Sequence, residues 1–109
     1  MTGILTVETV LCRAADVPEG GALRVERDDG PPLAVFHVGG RFYVTDDTCT
    51  HGEASLAEGE IDAEELLVEC PWHSGAFDLA TGAPCGAPCT IALRVHRFEL
   101  RGGDIVLVP

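Results

Sequence analysis

The sequence predicts an all-β fold, an antiparallel sandwich or barrel, on three observations. Short apolar runs recur along the chain, some alternating strictly with polar residues. Paired glycines or an Asp-Asp-Gly triplet separate these runs, and helical periodicity is scarce.

The first hairpin sets Ala22–Glu26 against Leu33–Val38, with Asp28-Asp29-Gly30 in the connection. Gly39-Gly40 then turns the chain into Arg41–Val44. A last hairpin joins Arg97–Leu100 to Asp104–Val108 through Gly102-Gly103. Two-residue loops of this kind supply the positive φ that a tight turn requires. Between Ala92 and Leu100 the apolar phase slips, since Leu93 and Val95 share one parity and Phe98 and Leu100 the other. A β-bulge near His96 or Arg97 accounts for the slip. One helical turn is expected over Asp62 to Leu66, with Asp62 as its N-cap.

The length of 109 residues suits one domain spanning 1–109. Hydrophobic residues make up 46% of the chain, enough to exclude disorder. Eighteen acidic side chains against seven basic ones give a formal charge of −11, which argues against nucleic acid or an anionic membrane as partner. No run approaches the roughly 18–20 apolar residues of a membrane span. Met1–Cys12 lacks a basic start, and Glu8 interrupts its apolar run, so no secretory signal is visible. A cytoplasmic protein is expected, in which cysteines serve more often as ligands than in disulfides. The odd count of five cysteines points the same way.

The middle third differs from the ends. Residues 46–89 hold four of the five cysteines, two of the four histidines and the turn-forming Thr81-Gly82 and Pro84–Pro88. This segment reads as a loop-rich subdomain on a β framework. Within it lie Cys49-Thr50-His51-Gly52 and Cys70-Pro71-Trp72-His73-Ser74-Gly75, each following an apolar strand. Each offers one thiolate and one imidazole, so the two loops can close on one metal centre. Pro71 stiffens the second, while Gly52 and Gly75 allow close backbone approach. Either motif alone is commonplace; the pair is not. Tetrahedral zinc is the chemical rival, although its usual spacings keep cysteines together and histidines together. A four-cysteine cluster on Cys49, Cys70, Cys85 and Cys89 would need intervals of 20, 14 and 3 residues. Those match neither ferredoxin pattern.

The pattern C-x-H, 18 residues, C-x-x-H resembles the Rieske iron–sulfur proteins, and the hairpin order agrees along essentially the whole chain. The resemblance implies the Rieske fold and one [2Fe–2S] cluster, with Cys49 and Cys70 on one iron and His51 and His73 on the other. Neutral imidazoles in place of anionic thiolates reduce the repulsion an added electron meets, which raises the potential above plant-type ferredoxins.

Rieske proteins of respiratory and photosynthetic complexes carry a disulfide between the two loops; the corresponding positions here are Ala54 and Trp72. High-potential relatives also place a Ser and a Tyr hydroxyl toward cluster sulfur, where this chain has Gly75 and Phe77. Missing donors disfavour the reduced state. The segment Gly52–Glu69 adds seven carboxylates and no basic residue. A potential at the low end of the Rieske range follows, and the segment reads either as a solvated loop or as a docking face for basic partners.

The resemblance is greatest to the ferredoxins of bacterial aromatic-ring-hydroxylating dioxygenase systems. These carry electrons from a flavoprotein NAD(P)H reductase to a terminal oxygenase and are not enzymes themselves. Alternative clients are another oxidoreductase, such as a nitrite reductase of which this would be the small subunit, or a monooxygenase; a zinc-stabilised binding module is the non-redox reading. Trp72 and Phe77 are expected to form a hydrophobic lid, and Pro84–Pro88 a stiff covering loop. Cys85 and Cys89 are expected to pack as small hydrophobes, Cys12 to lie in the core, and His37 and His96 to be ordinary strand residues.

Overall fold

The run Leu33–Val38 has almost no polar position, and its place in the fold explains why. In this computed structural model, which describes residues 9–27, 30–50, 52–71, 75–85 and 91–108, it is the middle strand of a sheet covered on both faces. The strands in chain order are β1 (Thr9–Arg13), β2 (Gly21–Val25), β3 (Leu33–Val38), β4 (Arg41–Asp46), β5 (Glu60–Asp62), β6 (Leu67–Glu69), β7 (Ala76–Asp78), β8 (Phe98–Arg101) and β9 (Asp104–Leu107). They form three antiparallel sheets, ordered β1-β9-β8, β2-β3-β4 and β5-β6-β7. Two 3₁₀ turns, Ala14–Asp16 and Leu56–Glu58, are the helical elements among the described residues.

Side chains of β3 alternate between two cores, as the period of two requires. Leu33 and Val35 join Leu11, Val17, Val44 and Ile105 in a core shared with the β1-β9-β8 sheet. Ala34, Phe36 and Val38 join Val68, Phe77, Leu79 and both Cys49 and Cys70 in the other. A sheet with two buried faces reads as a continuous apolar run rather than an alternating one. The β2-β3-β4 sheet is therefore the wall on which the cysteine-bearing loops are mounted.

Between β3 and β4, Gly39 and Gly40 take φ of +63° and +77°, the left-handed pair of a tight hairpin. Glu19 grips this turn, its carboxylate accepting the amides of Gly39 (2.6 Å) and Gly40 (2.9 Å). Among the described residues no helix is long and apolar enough to cross a membrane.

Three expectations need correction. The apolar slip before Phe98 is not a bulge at His96 or Arg97, because β8 begins only at Phe98. Upstream, Val95 bridges Thr45, and the His96 amide donates to Val44 O (2.8 Å), so this segment pairs with β4. The two parities belong to two partners. The irregular register lies instead in β1, between Val10 and Cys12. The segment Asp62–Leu66 is not a helical turn but the β5–β6 connection. Asp62 still caps it, with Oδ1 accepting the amides of Glu64 and Glu65 (both 3.1 Å). His96 lies outside any strand, and its Nε2 is 2.7 Å from Asp46 Oδ1. The Asp28-Asp29 turn falls outside the described residues.

Candidate metal centre

Both predicted loops are hairpin tips of the same construction. The Cys49 amide donates to Ala54 O (3.0 Å), and the Cys70 amide donates to Gly75 O (2.9 Å). Each bond spans five residues, so each cysteine stands at the matching corner of its loop. The first loop is further closed by Gly52 N to Cys49 O, Leu56 N to Asp47 O and the Thr48–Ser55 bridge. The second caps the β6–β7 pair, in which Glu69 faces Ala76.

Cys49 and Cys70 are 3% and 2% exposed and belong to one apolar cluster. Two thiols 21 positions apart in sequence are thus buried in one apolar cluster from two separate loops. Thiolate ligands in an apolar surround suit a metal–sulfur centre, since low dielectric strengthens charge-compensating bonds to a cation. His51 and His73 lie outside the described residues, as do Trp72 and Cys89. Among the described residues no group of three or more His, Cys, Asp or Glu could hold a metal. The described half of the donor set fits the expected cluster.

Phe77 is fully buried in the same apolar cluster as the two cysteines, as the lid reading requires. It has no hydroxyl to offer. Pro84 bridges Phe77, and the Cys85 amide donates to Ala76 O (2.7 Å), which starts the covering loop against β7; its remainder, 86–88, is outside the described residues. Cys85 is exposed, contrary to the hydrophobe reading, with its thiol toward Ala83 O. Cys12 is half-buried beside the framework core, and burial followed by the charges of Asp16 and Asp104 pushes its thiol pKa up.

Sequence reasoning missed four contacts, made by Thr50, Asp47 and Asp46 with partners 8 to 50 positions away. Thr50, between the two proposed ligands of the first loop, donates its hydroxyl to Ile91 O (2.8 Å). The carboxylate of Asp47, 1% exposed, accepts the Ser55 hydroxyl (2.9 Å) and the Ala57 amide (3.0 Å). Asp46 pairs with His96. No local pattern announces any of them; only the polar residues just before Cys49 hint at an anchored loop entrance.

The seven carboxylate residues of 52–69 are all exposed. Glu60, Asp62, Glu64 and Glu69 line an open cleft of about 420 Å³ with Ile61 and Leu67. The face beside the second loop is accordingly negative.

The Rieske [2Fe–2S] domain family model matches residues 7–100. The ferredoxin component of the p-cumate 2,3-dioxygenase system of Pseudomonas putida is 49% identical over 96 residues, covering 87% of this chain and 80% of that protein. Among solved structures, the Sphingomonas yanoikuyae B1 ferredoxin matches with a TM-score of 0.88 at 37% identity, over 94% of this chain and 99% of that one. A ferredoxin solved in complex with the reduced oxygenase of carbazole 1,9a-dioxygenase matches with a TM-score of 0.85 at 44% identity, over 93% and 92% of the two chains.

Proposed function

The chain belongs to the Rieske [2Fe–2S] domain family, and on that premise we propose that it is the electron-carrying ferredoxin of an aromatic-ring dioxygenase system. It takes single electrons from a flavoprotein NAD(P)H reductase and delivers them to a terminal oxygenase. The carrying observation is the burial of Cys49 and Cys70 in one apolar cluster at the corners of two matched loops.

Cys49 and Cys70 would hold one iron of the cluster, and His51 and His73 would hold the other. When bound, the cluster accepts and releases one electron at a time. The protein's own residues do the rest. Phe77, Leu56 and Val68 exclude water from the thiolate side, and the paired loop amides keep the two cysteines fixed. Ligand atoms that move little between oxidation states keep the cost of electron exchange low. The whole chain, 1–109, acts as a single domain, with residues of about 46–89 as the cluster-binding part. The cytoplasm suits it, because thiol ligands stay reduced there.

The relatives support the client. The p-cumate protein is named as a ferredoxin component of a dioxygenase system, and the carbazole ferredoxin is seen bound to its oxygenase. Isolated protein should contain two irons and two acid-labile sulfides per chain. It should take up one electron per chain in a reductive titration. His51→Cys and His73→Cys should lower the midpoint or abolish assembly. A colourless, zinc-containing protein would establish the binding-module reading instead.

A further inference from the structure

We propose that the buried carboxylate of Asp47, held between the first ligand loop and Arg24 of β2, positions Cys49 and sets the midpoint potential of the cluster. The inference rests on the ligand assignment proposed above.

Asp47 stands two residues before Cys49 and is 1% exposed. Its Oδ1 accepts two hydrogen bonds from the far side of the loop, from Ser55 Oγ (2.9 Å) and the Ala57 amide (3.0 Å). Its backbone carbonyl accepts the Leu56 amide (2.7 Å), and its own amide donates to Pro32 O (3.0 Å) at the start of β3. One residue therefore ties both ends of the first ligand loop to the central sheet. A neutral Asn oxygen would accept the same two bonds at Oδ1. What the carboxylate adds is charge.

That charge is only partly balanced. Arg24 Nε lies 3.6 Å from Asp47 Oδ2 but 2.7 Å from Glu26 Oε2, and the guanidinium is half exposed. The three groups sum to one negative charge, and its most deeply buried member sits beside the ligand loop. Two residues of extended chain put roughly 7 Å between the α-carbons of Asp47 and Cys49. At an effective dielectric of about 20, one elementary charge changes the reduction equilibrium roughly fiftyfold at about 7 Å and about tenfold at about 12 Å, so tenfold is the lower end of the expected scale. The sign opposes electron uptake. The exposed carboxylates of 52–69 act in the same direction, but salt screens them, whereas a buried charge is screened far less.

The test uses Asp47→Asn, Arg24→Gln and the double variant, with iron and sulfide content, thermal unfolding and the midpoint potential measured on each. Asp47→Asn should favour reduction by at least about tenfold, a rise of at least about 59 mV for a one-electron couple. Arg24→Gln should lower the midpoint, and the double variant should lie between. The Asp47→Asn shift should persist at high salt, because that charge is buried, whereas the shift from half-exposed Arg24 should shrink. Both single variants break the same link and should lower Tm together. Opposed potentials with parallel losses of stability separate a charge effect from a merely structural one. Midpoints that stay put, or that move the same way while Tm falls, would make Asp47 a structural staple and overturn the inference. If Asp47→Asn yields no folded protein, Arg24→Gln decides, and an unchanged or raised midpoint overturns it. Wild-type protein without iron overturns the ligand assignment and this inference with it; loaded wild type with unmoved variants overturns this inference alone.

Discussion

Glu19 accepts the Gly40 and Gly39 amides through its two carboxylate oxygens, and these bonds, with His37 nearby, hold its carboxyl below the usual range for Glu. A folded-state pKa lower than the unfolded value stabilises the fold at pH above the unfolded value, about 4.3. That contribution disappears as pH falls through the folded value. Glu19→Gln should therefore flatten part of the acid limb of a Tm-against-pH curve and leave a smaller difference from wild type at the acid end; superimposable curves would contradict this. Cysteine reactivity makes a second residue-scale prediction. Brief alkylation at neutral pH, read by peptide mass spectrometry, should mark exposed Cys85 well before Cys12, whose burial keeps the thiol protonated. Individual residues were the least legible part of the sequence. Cys49 and Cys70 announced themselves through the company they keep, whereas His96 and Asp47 depend on partners 50 and 8 positions away. Single-chain patterns carry no sign of such pairings.

At the scale of elements, legibility followed locality. The hairpins closed by Gly39-Gly40 and Gly102-Gly103 were readable because turn chemistry is local and both pairs take positive φ. The Asp62 cap was readable for the same reason, but its context was not. A side-chain oxygen that caps two amides serves a β-connection as well as a helical turn. The segment before Phe98 misled because its strand partner, β4, lies some fifty residues upstream. Packing between elements gives two stability predictions. Gly82 has φ +81°, and a Cβ there would strike Leu93 O, whose neighbouring amide bonds back to Gly82 O. Gly82→Ala should cost about 3 kcal/mol in urea unfolding. Phe77→Ala empties the core beside both cysteines and should cost about 3–5 kcal/mol while loosening cluster retention. A Phe77→Ala protein of wild-type stability would remove that ring from its place as lid.

The whole molecule is a framework with a charged working end. Its fold class was legible from alternation and turns alone, and the two-faced burial of β3 shows why one run looked continuous. Its cofactor was implied by the resemblance of two motifs to the Rieske pattern, whereas residue type and spacing alone pointed only to one metal centre. Its electrostatic character follows from composition, with a net charge of −11 and seven exposed carboxylates between the loops. Electron transfer from a basic partner surface should slow as ionic strength rises, and rates indifferent to salt would make the acidic segment a solvated loop only. The midpoint itself should fall at the low end of the Rieske range of about −150 to +300 mV, since Phe77 and Gly75 offer no hydroxyl. The most direct test of the mixed ligand set is nitrogen hyperfine spectroscopy on the dithionite-reduced protein. Two histidine nitrogens coupled to the paramagnetic centre, each lost on changing His51 or His73, is the predicted result. A spectrum without nitrogen coupling, or a preparation with no paramagnetic signal on reduction, would contradict it.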